Sequence, residues 1–127
     1  MIMNNSAFGE IIFNTGWKTN ADITLFGNDY SVIVKVKAYF EKDGISNEQE
    51  IAFSNFKTNK SELLKSVENL LSDFADSNAS ERFVPRMLLF QRDGSYALLL
   101  DDNEDEDGGI VACLAPTAEI KSQDEYL

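Results

Sequence analysis

Apolar and polar residues alternate with period two through the first third of the chain, most clearly from Tyr30 to Glu41. The even positions are Tyr30, Val32, Val34, Val36, Ala38 and Phe40, while the odd ones carry Ser31, Lys35, Lys37 and Glu41, with Ile33 and Tyr39 the exceptions. Successive side chains of a strand point to opposite faces, so the pattern predicts a long strand with one buried face. Asp22 to Phe26 predicts a strand ahead of it, and Gly27-Asn28-Asp29 supplies residues that tolerate the positive φ of a tight hairpin. Phe8 to Phe13, turning through Asn14-Thr15-Gly16, predicts a first strand and completes a three-stranded meander.

The period then lengthens. Leu63, Leu64, Val67, Leu70, Leu71 and Phe74 form one apolar stripe, with Lys65, Ser66, Glu68, Asn69, Ser72 and Asp73 facing away. Asn59 and Glu62 have the spacing of a capping box, which predicts a helix from about Lys60 to Asp76. Ser46 with Gln49 is a second such pair, and Ile45, Ala52, Phe53 and Phe56 share one side, predicting a shorter helix before it.

Beyond Ser77-Asn78-Ala79-Ser80 the strand pattern returns. Arg82 to Gln91 and Ser95 to Leu100 are strands joined through Arg92-Asp93-Gly94, and they are apolar on both faces. Such strands are either central and covered on both sides or part of a dimer seam. Pro85 has no N–H for a ladder, which sets it at a strand start, an edge or a bulge. Gly108-Gly109 opens a strand from Ile110 to Ala115 that stops at Pro116, and Glu119 to Lys121 is a short last strand. The order β-β-β-α-α-β-β-β predicts an α+β domain, a mostly antiparallel sheet with its helices packed on one face.

At 127 residues the chain is one domain, and 43% apolar residues suffice for a core. The absence of His and the single Cys113 exclude, within the chain, disulfides, Cys/His zinc sites and Ser-His or Cys-His catalysis. Glu10, Asp22, Asp29 and Glu41 fall at turns or on polar strand faces, where a solvated carboxylate is the simpler reading than a catalytic one. Cys113 sits between Ala112 and Leu114 in an apolar strand, the setting of an inert buried thiol. Neither catalysis nor a cofactor is expected. The N-terminus lacks the basic start and apolar stretch of a secretory signal, and no apolar run is long enough to span a membrane, so a cytoplasmic protein is expected.

Charge changes the picture most. The net charge is −11, and residues 101–127 alone hold nine acids against one base. This balance argues against nucleic acid or an anionic membrane as ligand and favours a basic protein partner. The acids concentrate in Asp101-Asp102-Asn103-Glu104-Asp105-Glu106-Asp107. Three readings fit this run. It is a solvated hairpin loop that protects the sheet edge, or a docking surface whose crowded carboxylates a cationic partner would relieve and which would speed encounter. It also has oxygen ligands spaced like the start of a calcium loop, at Asn103, Asp105 and Asp107, although Leu114 stands where the bidentate Glu is needed. Trp17, beside Gly16, is either a partner anchor or part of the core.

Three segments carry a resemblance: Phe8 to Phe13 (FGEIIF), Leu25 to Val36 (LFGNDYSVIVKV), and the acidic Gly-Gly strand followed by Lys121, Gln123-Asp124 and Leu127. Together the chain resembles a family of small acidic bacterial proteins of unknown function that accompany polymorphic-toxin and contact-dependent inhibition loci and look like immunity proteins. The resemblance implies an α+β fold and a toxin-neutralising role, with no catalytic residue. The expected function is therefore a non-enzymatic immunity protein that occludes a basic toxin domain, such as a nuclease, through Asp101, Asp102, Glu104, Asp105, Glu106, Asp107 and Trp17. The alternative is a scaffolding domain that self-associates, as a homodimer, through the strands around Met87 to Phe90 and Ser95 to Leu100.

Overall fold

The computed structural model describes residues 2–75, 78–115 and 117–126, with the side chains of residues 105–107 and 124 outside the description. The chain forms β1 (Ile2–Asn5), β2 (Gly9–Phe13), β3 (Trp17–Leu25) and β4 (Asn28–Val36), then a 3-10 turn (Glu41–Asp43). The helices α1 (Asn47–Thr58), α2 (Lys60–Ala75) and α3 (Ala79–Arg82) follow. The chain closes with β5 (Phe83–Phe90), β6 (Tyr96–Asp102), β7 (Asp105–Ala115), β8 (Glu119–Ser122) and α4 (Gln123–Tyr126). Among the described residues the strands make one sheet in sequential order, β1 to β8. Every neighbouring pair is antiparallel except β4 and β5, which the helical segment connects in parallel.

The α+β class and the mostly antiparallel sheet agree with the sequence, but the element order does not. Ile2–Asn5 adds a strand and makes the meander four-stranded; its four residues pair with β2, Ile2 opposite Ile12, too short a run to show a period. A fourth helix follows β8. The hairpin between β3 and β4 is tighter than expected: Phe26 and Gly27 take positive φ (52° and 77°), and Asn28 and Asp29 already belong to β4. Glu68 of α2 holds this turn, its carboxylate accepting the Phe26 N–H at 2.6 Å.

Helix α1 starts as its pattern requires. The Ser46 hydroxyl accepts the Gln49 N–H at 3.1 Å, and the Gln49 side chain accepts the Ser46 N–H at 2.9 Å. The Asn59 capping box is not formed, because Asn59 caps the C-terminus of the preceding helix and its amide donates back to Asn55 instead. The two predicted helices therefore follow almost without a break. Leu64, Val67 and Leu71 of α2 are buried as the stripe demands, whereas Phe74 is exposed. The expected end of that helix at Asp76 lies outside the described residues.

Alternation along the central strands divides the core in two. Leu88, Phe90, Tyr96, Leu98 and Leu100 join Phe53 and Phe56 of α1 and Leu64, Val67 and Leu71 of α2 in the larger cluster. There the Phe8 and Phe53 rings stack at 4.3 Å and those of Phe90 and Tyr96 at 4.9 Å. The residues between, Leu89, Ala97 and Leu99, point the other way and pack with Val111, Cys113, Met87 and Tyr126. Tyr126 belongs to α4, so the helices are not confined to one face. Strands β5 and β6 are apolar on both sides because side chains of the same chain cover both, the first of the two readings of their pattern. Pro85 stands where the β5–β6 register shifts, at the bulge that its missing N–H requires.

Candidate functional site

The acidic run is the β6–β7 hairpin, and its described carboxylates are engaged within the chain. Asp102 is buried although charged. Arg82, at the end of α3, reaches it with Nε to Oδ1 and Nη2 to Oδ2, both at 2.9 Å, and Arg82 Nε also lies 2.8 Å from Glu104 Oε2. The same guanidinium stacks over the Phe83 ring at 4.9 Å. Arg86 donates to Asp101 at 2.6 Å. Backbone bonds complete the clamp: Asn103 N–H donates to the Arg82 carbonyl at 2.8 Å, the Asn103 amide to that of Glu81 at 2.8 Å, and Glu104 N–H to Asp102 at 3.0 Å. The Arg82 hydrogen bond, opposed by burial, holds the Asp102 carboxyl below the usual carboxylate range.

These pairs divide the acids by exposure. Asp102 is a structural charge, with a side chain 6% exposed, whereas Asp101 and Glu104 remain 54% and 59% exposed despite their arginines. The side chains of Asp105, Glu106 and Asp107 lie outside the described residues, and so does most of the calcium ligand set. Trp17 is 2% exposed, with its ring edge-on to Phe13 at 5.2 Å, so it lies in the core and offers no surface to a partner. Its indole N–H is buried with no acceptor among the described residues.

Two features at the opposite end of the strands escaped the sequence reading. The first is Gln49, fully buried. Its amide nitrogen donates to the carbonyls of Lys37 (3.0 Å) and Phe90 (3.1 Å), and its oxygen accepts from Ser46 N–H. Arg92 joins it, donating to the Gly44 carbonyl at 2.8 Å. Start of α1, end of β4 and end of β5 are thereby tied together. The second is an open cavity of about 610 Å³ beside this knot, lined by Lys35, Lys37, Tyr39, Gln91, Ser95 and Tyr126 among others. The spacing of Gln49 behind Ser46 signalled a cap, but nothing local signals its reach across the sheet. Lys35 occupies the polar face of β4 and Lys37 follows directly after it, positions where lysine is ordinary.

Among the described residues no three His, Cys, Asp or Glu side chains gather as a metal site would need, and no helix is long and apolar enough to cross a membrane. A family model described as a domain of unknown function, DUF6985, matches residues 7–85, and the chain belongs to that family. The matched segment runs from the β1–β2 turn into β5 and stops short of the acidic hairpin. No curated protein and no solved structure matches the chain.

Proposed function

We propose that this DUF6985 domain is a non-enzymatic binding protein that engages a basic protein partner, in the manner of an immunity protein occluding a toxin domain, through the β6–β7 hairpin. One observation carries the reading: the hairpin backbone is fixed by the buried Arg82–Asp102 pair, while Asp101 and Glu104 stay more than half exposed. A surface held in shape before binding loses little conformational freedom on docking. Exposed ion pairs contribute only about 0–1 kcal/mol, so Asp101, 54% exposed, can exchange Arg86, 62% exposed, for a partner's cation at small cost. The chain's net charge of −11, much of it in the hairpin itself, adds attraction at a distance and hastens encounter.

The test is co-expression with the product of the neighbouring upstream gene, followed by stopped-flow association of the purified pair. A hairpin carrying Asp101→Asn, Glu104→Gln, Asp105→Asn, Glu106→Gln and Asp107→Asn is expected to associate about tenfold or more slowly at low salt, with a flatter salt dependence. An unchanged on-rate and salt dependence, or no complex at all, would overturn the reading.

A further inference from the structure

The cavity beside Gln49 has two lysines, Lys35 and Lys37, in its wall. On the sheet face opposite α1 and α2, Lys18 of β3 and Lys35 of β4 stand directly across from each other in the antiparallel ladder. Lys37 follows two residues on, on the same face. Like charges set opposite each other on neighbouring strands are destabilising. Lys18, Lys35 and Lys37 have no ion pair among the described residues. The one acid lining the cavity, Asp93, is occupied by the N–H and hydroxyl of Ser95 at 2.9 and 2.7 Å. Partial burial, then Lys18 and Lys37, push the Lys35 ammonium below its usual range, so its charge is costly where it stands.

The walls supply the rest of a ligand's needs. Lys35 pairs with buried Leu89 of β5, and the apolar patch beyond Leu89 is covered by Tyr126 of α4. The cavity thus lies between a cationic half of the sheet and the edge of an aromatic lid. Tyr39 stands at the rim, 90% exposed. A volume near 610 Å³ is that of a small-molecule site, far beyond one inorganic ion.

From this juxtaposition we propose that the cavity binds a small organic dianion carrying a planar ring, its charge between Lys35 and Lys37 and its ring between Tyr39 and Tyr126. The dianion relieves the lysine repulsion, and the ring fills apolar space that an inorganic anion leaves wet. The site shares no residue with the acidic hairpin, so it stands or falls separately from the docking function.

The test is an NMR titration of the full chain with phenyl phosphate, inorganic phosphate and phenol in parallel. Phenyl phosphate is expected to shift the Lys35, Lys37 and Tyr126 amides saturably and to bind tighter than either fragment. Lys35→Gln and Lys37→Gln together are expected to weaken it about tenfold or more. These variants remove like-charge repulsion, so their unliganded melting temperature is expected to equal or exceed that of the parent. No saturable shift in the parent, equal affinity for inorganic and phenyl phosphate, or unchanged affinity in the double variant would each overturn the proposal.

Discussion

Arg82 and Asp102 are joined by two parallel hydrogen bonds of 2.9 Å, the one guanidinium–carboxylate fork among the described residues, and its carboxylate is buried. The arginine anchors the last turn before β5, and the aspartate ends β6. Removing one member of a buried pair leaves the other uncompensated, which costs about 3–5 kcal/mol when both are fully buried. Arg82 is 22% exposed, so water meets part of that need. Arg82→Ala is expected to destabilise the fold by about 2–3 kcal/mol, read as the denaturant midpoint at unchanged slope. Arg82→Lys recovers less than half of the loss, because an ammonium cannot make the fork.

The same pair sets how stability responds to acid. The Asp102 carboxyl titrates below its unfolded value, chiefly through Arg82. A carboxyl depressed in the folded state contributes stability that is present above the unfolded value of about 4 and is lost as pH falls through the lower folded value. Asp93, depressed by its Ser95 hydrogen bonds, acts in the same direction. In Arg82→Ala, burial without the arginine instead favours the protonated acid. The stability gap between parent and variant is therefore expected to narrow as pH drops below about 4, in urea midpoints measured across the acid range. A gap that widens in acid would contradict this account.

Gln49 is placed to be sensitive without being decisive. Its loss leaves the Lys37 carbonyl with Arg92 at 3.3 Å and the Phe90 carbonyl with the Lys37 N–H at 3.0 Å, so neither is fully orphaned. The Ser46 N–H loses the Gln49 oxygen as acceptor. Gln49→Leu is expected to cost about 1–2 kcal/mol, and hydrogen exchange at Ser46 should accelerate while that at Val34 does not.

What the sequence revealed and what it hid follow one rule, the range of the interaction responsible. The Ser46–Gln49 cap and the Asp93-Gly94 turn are closed within a few residues by partners printed next to each other, and both form as read. Asn59 failed because two local partners competed for it, and the helix already present at Asn55 prevailed. The Arg82–Asp102 fork spans 20 residues and the Gln49–Phe90 bond 41, so no local pattern encodes either. The acidic run looked like unpaired charge for the same reason: its counter-ions, Arg82 and Arg86, sit one strand away. Trp17 was ambiguous because a turn-flanking aromatic is equally consistent with rim and core until its strand partners are known.

Gly27 and Gly94 separate two costs that sequence alone merges. Both take positive φ, 77° and 92°. A Cβ at Gly27 meets open space, so Gly27→Ala pays only for the backbone conformation, about 1 kcal/mol. At Gly94 the added carbon lies 3.0 Å from the Glu48 carbonyl oxygen and 3.2 Å from the Glu48 Cβ, in the first turn of α1. That backbone moves only with the helix. Gly94→Ala is expected to destabilise by at least about 1 kcal/mol more than Gly27→Ala in paired thermal melts.

Cys113 reports on the lid that α4 places over the second core cluster. The thiol is 6% exposed, and burial, the largest influence on it, raises it above its ordinary range, so the reactive thiolate is scarce near neutrality. Tyr126 packs on the same cluster, and α4 is held by Gln123, whose amide donates to the Leu100 carbonyl at 3.2 Å. Gly109 makes this fit: a Cβ there would lie 2.7 Å from the Leu100 carbonyl oxygen and 2.7 Å from the Gln123 Cδ. Gly109→Ala is therefore expected to displace α4 and to press on the β6 backbone at Leu100, whereas Tyr126→Ala thins the lid and leaves the larger cluster, which Tyr126 does not touch, intact. In the parent, a thiol-specific disulfide reagent is expected to modify Cys113 only at the rate of opening, and in Gly109→Ala or Tyr126→Ala about tenfold faster, roughly 1.4 kcal/mol of lost protection. Global unfolding should shift by less than the protection does, since the lid is a local element. Equal reactivity in all three proteins would mean that something other than α4 shields the thiol.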